Sequence, residues 1–164
     1  DDVESRGLGD VYKRQVYNRS TKKFLTEVLM IKIIYGPKGT GKTKIVIDEA
    51  NSKVATAKGH LIFITNTKRY MYDLQRDIRV IDTSDYQIAG EEALCGFVKG
   101  VVAANNDNEY LFIDGAARIA GKDIKDMAAF YYMLDRLSAS NDLTIYVTCS
   151  CTKEELPDFV AKYL

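Results

Sequence analysis

The sequence predicts a single α/β domain of three layers, in which helices cover a mostly parallel sheet of about five strands. Two observations lead to this prediction. From Met30 onward, short runs of β-branched and aromatic residues alternate with longer segments of helical periodicity, as in parallel sheets with helical connections. The first run leads directly into a glycine-rich turn and then a helical segment. The chain has 164 residues, 46% of them hydrophobic, which suits one domain with a sizeable core.

The predicted elements follow one another in a regular order. Strands are expected at 31–35, 61–64, 79–81, 110–113 and 143–148. Helices are expected at 42–56, 68–77, 91–104 and 122–138, with a last helix that ends at Leu164 and is delayed by Pro157. The clearest helical stripe lies in 91–104, where apolar residues recur at i, i+3, i+4, i+7 and i+8. The first helix has four apolar positions for one face: Ile45, Val46, Ala50 and Val54.

Residues 36–43, GPKGTGKT, fit the pattern G-x-x-x-x-G-K-[ST] of a phosphate-binding loop, or P-loop. Glycines let the backbone turn so that successive N–H groups point at an anion, and the following helix adds its positive end. Lys42 would reach the β- and γ-phosphates, and the Thr43 hydroxyl would bind Mg²⁺. The expected nucleotide-binding residues are Gly36, Pro37, Lys38, Gly39, Thr40, Gly41, Lys42, Thr43 and Lys44.

A second motif, Tyr110 to Asp114, places an aspartate at the carboxyl end of an apolar strand. Ligands collect at this edge of parallel sheets, so we expect Asp114 to hold Mg²⁺ opposite Thr43, as a Walker B aspartate does. Many P-loop ATPases have a glutamate next that polarises the attacking water. Here Gly115 follows, and we expect Glu91, Glu92 and Glu109 to be solvated. The sequence therefore predicts tight binding with slow hydrolysis.

Two further residues are candidates for catalysis at the γ-phosphate. Thr148 ends the last strand, and in one class of P-loop proteins a strand inserted between the P-loop strand and the Walker B strand carries a polar phosphate sensor. Thr148 would either serve as that sensor or cap the following turn. Arg118 could act in cis as an arginine finger, although a surface role is the simpler interpretation. The segment between Gly115 and Gly121 is the expected moving loop. Lys68 and Arg69 are most simply explained as a charged helix face.

The composition limits the function classes. Lys and Arg total 23, as do Asp and Glu, so no basic excess favours nucleic acid. The apolar runs are too short to span a membrane, and the N-terminus lacks the apolar core of a signal peptide, so we expect a cytoplasmic protein without membrane contact. The spacing of Cys95, Cys149 and Cys151 suggests neither a metal site nor a disulfide framework, so buried or half-buried free thiols are expected.

Residues 1–29 do not read as part of the domain, because they are polar and lack a sustained period. The segment SRGLGDVYKRQ resembles a translated adapter read-through peptide, so we expect at least residues 1–15 to be an artefact. Residues 16–29 are left open as upstream read-through or a genuine extension. We expect the native protein, and the nucleotide-binding domain, to begin at Met30.

A resemblance to a known family rests on three segments: MIKIIYGPKGTGKT (30–43), FITNTKRYMYDL (63–74) and EYLFIDGAARIAGKD (109–123). They resemble a group of small bacterial P-loop ATP-binding proteins, some labelled twitching-motility ATPase. The resemblance covers nearly the whole chain after Met30. It implies a P-loop fold, in which we favour a RecA-like strand order, and ATP binding at residues 36–43 and Asp114.

Three functions stay open from the sequence. The leading one is Mg-ATP binding with slow or partner-stimulated hydrolysis. A small-molecule or nucleoside kinase is a second, in which Asp114 or Asp82 would serve the acceptor hydroxyl. A regulatory module that binds ATP without hydrolysing it is a third. The sequence does not indicate a protein partner or an oligomeric state. We expect ATP rather than GTP, although the sequence has no base-specific motif such as N-K-x-D.

Overall fold

The computed structural model describes residues 30–164, so the expectations for residues 1–29 lie outside the described residues. The strands are β1 Ile31–Gly36, β2 His60–Thr65, β3 Ile78–Asp82, β4 Asn108–Ile113 and β5 Thr144–Ser150. The α-helices are α1 Lys42–Val54, α2 Glu91–Ala103, α3 Ala116–Ala120, α4 Ala128–Asn141 and α5 Asp158–Ala161. Short 3₁₀ turns occur at Met71–Asp73, Thr83–Tyr86 and Ile124–Asp126.

The five strands form one sheet in the order β1-β5-β4-β2-β3, and every neighbouring pair is parallel. This confirms the predicted α/β class and the number of strands. The favoured RecA-like strand order is wrong, because β1 and β3 form the two edges. A hydrophobic run predicts that a strand exists but does not encode which strand it will lie beside. β5 does lie between β1 and β4, the placement on which the sensor hypothesis for Thr148 depends.

Helices cover both faces of the sheet and make three layers. On one face, Val46, Ile47 and Ala50 of α1 pack with Leu61 and Phe63 of β2 in a buried apolar cluster. On the other face, α2, α3, α4 and α5 pack against the alternate residues of the same strands. Burial of both faces explains why the strands are nearly continuous apolar runs rather than alternating ones.

An aromatic row crosses the α1 face of the sheet. The rings of Phe63 and Phe112 are stacked with centroids 6.2 Å apart, and those of Phe112 and Tyr146 with centroids 4.9 Å apart. Because side chains alternate along a strand, the residue two positions further on projects from the same face. These next residues form a buried polar row at the carboxyl edge of the sheet: Thr65, Asp114 and Thr148.

Three predicted elements differ from the structure. The helix expected at 68–77 is only the 3₁₀ turn Met71–Asp73, because the Asn51 side chain donates to the Asp73 carbonyl and accepts from the Gln75 N–H. The helix expected at 122–138 begins at Ala128, after the 3₁₀ turn Ile124–Asp126. The expected moving loop at 115–121 contains α3, bounded by glycines of positive φ at both ends.

The first and last helices show smaller differences. Ile45, expected on the buried face of α1, is 49% exposed, and Ile47 is buried instead. Near the C-terminus, the Glu155 carboxylate accepts the N–H of Thr152 at 2.8 Å, which is half of a capping box. The helix itself starts after Pro157, as its position in the sequence predicted.

Among residues 30–164, none of the helices combines the length and the apolar composition needed to cross a bilayer.

Candidate functional site

The predicted P-loop segment connects β1 to α1 through a tight turn. Gly39 and Gly41 both have φ of 84°, a conformation that favours glycine. Thr40 closes the turn, since its Oγ1 donates to the Pro37 carbonyl at 2.7 Å and its N–H does so at 3.3 Å. A Cβ at Gly36 would approach Thr40 Oγ1 to 2.6 Å, so the strand end also needs a glycine. The motif therefore adopts a closed loop at the N-terminus of α1.

Lys42 lies inside this turn. Its side chain is buried, and Nζ donates to the Pro37 carbonyl at 2.9 Å. An ammonium has three donor positions, and this hydrogen bond uses one of them. The flanking lysines of the segment, Lys38 and Lys44, are exposed. The structure thus places one cation within the loop and two at its surface.

Asp114 is the central residue of the polar row and is only 3% exposed. It follows β4, and its carboxylate meets the start of α1. Thr43 Oγ1 lies 3.3 Å from each of the two Asp114 oxygens, across 71 residues of sequence. The two residues predicted to hold Mg²⁺ are therefore brought together.

The donor set at this point suits magnesium. A carboxylate and a hydroxyl are hard oxygen ligands, and Mg²⁺ binds through one or two carboxylates together with waters and substrate phosphates. Within residues 30–164, no group of three or more His, Cys, Asp or Glu side chains could hold a metal alone. Thr43 and Asp114 would thus share Mg²⁺ with phosphate oxygens and water.

Thr148 lies beside Asp114 on the neighbouring strand. Its Oγ1 donates to Asp114 Oδ1 at 2.8 Å and accepts the Gly115 N–H at 2.9 Å. The hydroxyl proton is thus directed at the aspartate. In this arrangement Thr148 orients the carboxylate, and its predicted contact with a γ-phosphate would require that proton to be redirected.

Arg118 reaches the same edge from α3. Its Nε donates to Asn66 Oδ1 at 3.0 Å, and Nη2 lies 3.9 Å from Asp114 Oδ2. The side chain is 57% exposed, so it is free to move toward a bound ligand. Lys42, Asp114, Thr148 and Arg118 therefore all lie at the carboxyl edge of the sheet.

The expectation of solvated carboxylates is wrong for Glu91, whose side chain is 12% exposed, whereas Glu92 is exposed and Glu109 is partly exposed. Glu91 forms an ion pair with Lys122, and its Oε1 accepts the Phe130 N–H at 3.2 Å. Glu109 Oε2 accepts the N–H groups of both Lys58 and Gly59 at 2.7 Å. Each carboxylate binds backbone donors that are distant in sequence, which local charge spacing does not reveal.

Asp82, the alternative acceptor residue of a kinase, ends β3. Its Oδ1 accepts the Ser84 N–H at 2.9 Å, which is the contact of a turn-capping aspartate. Lys68 forms a 2.7 Å ion pair with Asp85, and Arg69 lies over the Tyr70 ring. These contacts account for the charges after β2 and β3 as local surface structure.

Two residues at this edge were missed from the sequence. Asn66 holds Arg118 through its side chain, and its carbonyl accepts the Ser84 hydroxyl at 3.3 Å. Thr65 belongs to the polar row. A signal for Thr65 existed, because an aromatic residue precedes each member of the row by two positions, as Phe63 precedes Thr65.

No protein-family model matches the chain, and no curated protein matches it either. The family resemblance carried by residues 30–43, 63–74 and 109–123 therefore stays a prediction.

Proposed function

We propose that this protein binds Mg-ATP where the loop at residues 36–43 faces Asp114, and that it hydrolyses ATP slowly or only when a partner stimulates it. The observation that carries the proposal is the meeting of Thr43 and Asp114. Their side chains approach to 3.3 Å although 71 residues separate them. A motif threonine at a helix start and an aspartate at a neighbouring strand end form the arrangement that a magnesium-nucleotide site needs.

Each residue of the site has a role in this proposal. The N–H groups of the loop and the N-terminus of α1 would face the phosphates. Lys42 would exchange its bond to the Pro37 carbonyl for a phosphate oxygen, a stronger charge-assisted contact. Thr148 keeps Asp114 oriented, and Arg118 is close enough to the carboxylate to respond to a ligand there. Mg²⁺, when bound, would neutralise phosphate charge.

Slow hydrolysis is supported by the positions and partners of the candidate carboxylates. Gly115 follows Asp114 where many ATPases have a glutamate. Glu91 and Glu109 bind other groups, as described above, so neither is available to activate a water. The same observation favours a second candidate, a regulatory module that binds ATP without turnover. Nucleotide that survives purification at one per chain, with no turnover over hours, would distinguish this candidate.

Replacing Lys42 tests the binding proposal. Titration calorimetry with a non-hydrolysable ATP analogue and Mg²⁺ should show about one site per wild-type chain. Lys42→Ala should weaken the affinity at least about tenfold, since a charge-assisted hydrogen bond contributes about 1.5–3 kcal/mol. Lys99→Ala removes the same charge from an exposed position on α2 and should bind within about twofold of wild type. Equal affinity in wild type and Lys42→Ala, or binding by neither, would refute the proposal.

A further inference from the structure

Thr65, the last residue of β2, has a buried hydroxyl that the structure leaves unpaired. The residue is 4% exposed, and its Oγ1 finds no hydrogen-bond partner among residues 30–164. Buried polar groups are nearly always paired, because an unpaired one loses its bonds to water without compensation. The hydroxyl therefore destabilises the protein unless a ligand or an ordered water satisfies it.

The position of Thr65 points to the nature of that ligand. The N–H of Asp114 donates to the Ile64 carbonyl at 2.9 Å, which continues the parallel pairing of β2 with β4 beyond Ile113. Thr65 is thus level with Asp114 on the adjacent strand. Alternation from the stacked Phe63 and Phe112 rings places both residues on the α1 face.

Asp114 consequently has a threonine on each side in the same row. Thr148, on β5, donates to it at 2.8 Å, whereas Thr65, on β2, makes no hydrogen bond to it. The neighbour of Thr65 on its other side is Asp82, whose Oδ1 accepts the Ser84 N–H. Thr65 is therefore the member of the polar row whose hydrogen-bonding capacity is unused.

The proposed magnesium site supplies a partner for this capacity. Thr43 donates to both Asp114 oxygens in the structure, and it would turn its oxygen toward the metal when Mg²⁺ is held. Mg²⁺ retains several of its waters in protein sites, and the protons of each such water need hydrogen-bond acceptors. A water bound to Mg²⁺ gives a lone pair to the metal and donates its protons, so the Thr65 oxygen would accept one of them.

We propose that the Thr65 hydroxyl is a further binding group of the nucleotide site, which holds a water of the Mg²⁺ hydration shell beside Asp114. This inference rests on the proposed function. It explains why a threonine, rather than the apolar residue that suits a buried strand, ends β2. It also predicts that the hydroxyl is unfavourable without ligand and favourable with Mg-nucleotide.

Thr65→Val and Thr65→Ser test the inference, because valine keeps the shape without the hydroxyl and serine keeps the hydroxyl. Thermal unfolding in EDTA without nucleotide should give Thr65→Val a melting temperature a few degrees above wild type. Calorimetry with a non-hydrolysable ATP analogue should show about three- to tenfold weaker binding by Thr65→Val in Mg²⁺ and unchanged binding in EDTA. Thr65→Ser should bind within about twofold of wild type in both conditions.

Tyr163→Phe is the control, since it removes a buried hydroxyl that belongs to the opposite core cluster. It should leave nucleotide affinity unchanged with and without Mg²⁺. A lower melting temperature for Thr65→Val, equal affinity in Mg²⁺, or equal losses in Mg²⁺ and EDTA would each overturn the inference alone. Absence of nucleotide binding by wild type would overturn it together with the proposed function.

Discussion

Cys149 follows Thr148 on β5, but its side chain belongs to the core cluster on the face opposite α1. There its Sγ lies 3.0 Å from the Tyr131 hydroxyl. Burial raises the pKa of the Cys149 thiol to about 12, against an opposing contribution from the Tyr131 hydrogen bond. The thiol therefore stays neutral at physiological pH. All three cysteines are free, as the sequence predicted.

The raised pKa of Cys149 predicts an alkaline loss of stability. Above pH 9.0 the unfolded chain releases the thiol proton, whereas the folded protein keeps it until about pH 12. The unfolded state then binds fewer protons, so the free energy of unfolding falls as the pH rises through this window. Cys149→Ser keeps a partner for Tyr131 but does not titrate there. The stability difference between wild type and this variant should shift against wild type by about 1.4 kcal/mol per pH unit.

Urea unfolding of both proteins at pH 7, 8, 9, 10 and 11 measures this difference. It should be constant from pH 7 to 8, where the thiol is neutral in both states. A difference that also stays constant from pH 9 to 11 would show that the thiol does not titrate as its burial requires.

The functional residues that belong to a local sequence motif could be predicted from the sequence. Thr43 and Asp114 each stand in a motif, and the structure brings them together. Thr65 and Asn66 were missed because their importance depends on the strand and helix beside them. Glu91 was misjudged for the same reason, since its partners Lys122 and Phe130 N–H lie far along the chain.

At the scale of elements, α3 shows how glycines shape the site. Gly115 has φ of 77° and starts the helix that carries Arg118. A Cβ at Gly115 would be strained by its left-handed conformation, whereas the Arg118 guanidinium that it approaches ends a flexible side chain and could shift away. The expected moving loop thus contains a short helix, which places Arg118 Nη2 3.9 Å from Asp114 Oδ2. The Gly and Ala content of residues 115–121 indicated a flexible loop. In the structure, Gly115 and Gly121 have positive φ and cap the two ends of α3.

Paired glycine substitutions test this role. Gly115→Ala should lower the free energy of unfolding by about 1–2 kcal/mol, because the left-handed conformation is unfavourable for alanine. Gly100→Ala, in the interior of α2 with open space around it, should raise that free energy by about 0.5–1 kcal/mol. Urea denaturation measures both. Stabilisation by Gly115→Ala, or equal effects of the two substitutions, would contradict this view of α3.

At the scale of the whole molecule, the fold class was predictable and the strand order was not. Alternating apolar runs and helical stripes are local patterns, so the three-layer α/β class and the five strands follow from them. The order β1-β5-β4-β2-β3 depends on where each connection crosses the sheet. That order creates the polar row, because it brings β5, β4 and β2 side by side. The composition of the site therefore depends partly on the strand order.

Asp114 and the loop at residues 36–43 are proposed to form one Mg-nucleotide site. The most direct measurement is the affinity of wild type and Asp114→Asn for a non-hydrolysable ATP analogue, each with Mg²⁺ and with EDTA. Asparagine keeps the shape of the side chain and an oxygen for Thr148, but it removes the charge that Mg²⁺ requires. Wild type should bind at least about tenfold more tightly with Mg²⁺ than without it, and Asp114→Asn should lose this gain while keeping the affinity in EDTA. The same gain from Mg²⁺ in both proteins, or no binding by wild type, would show that Asp114 and the loop do not form such a site.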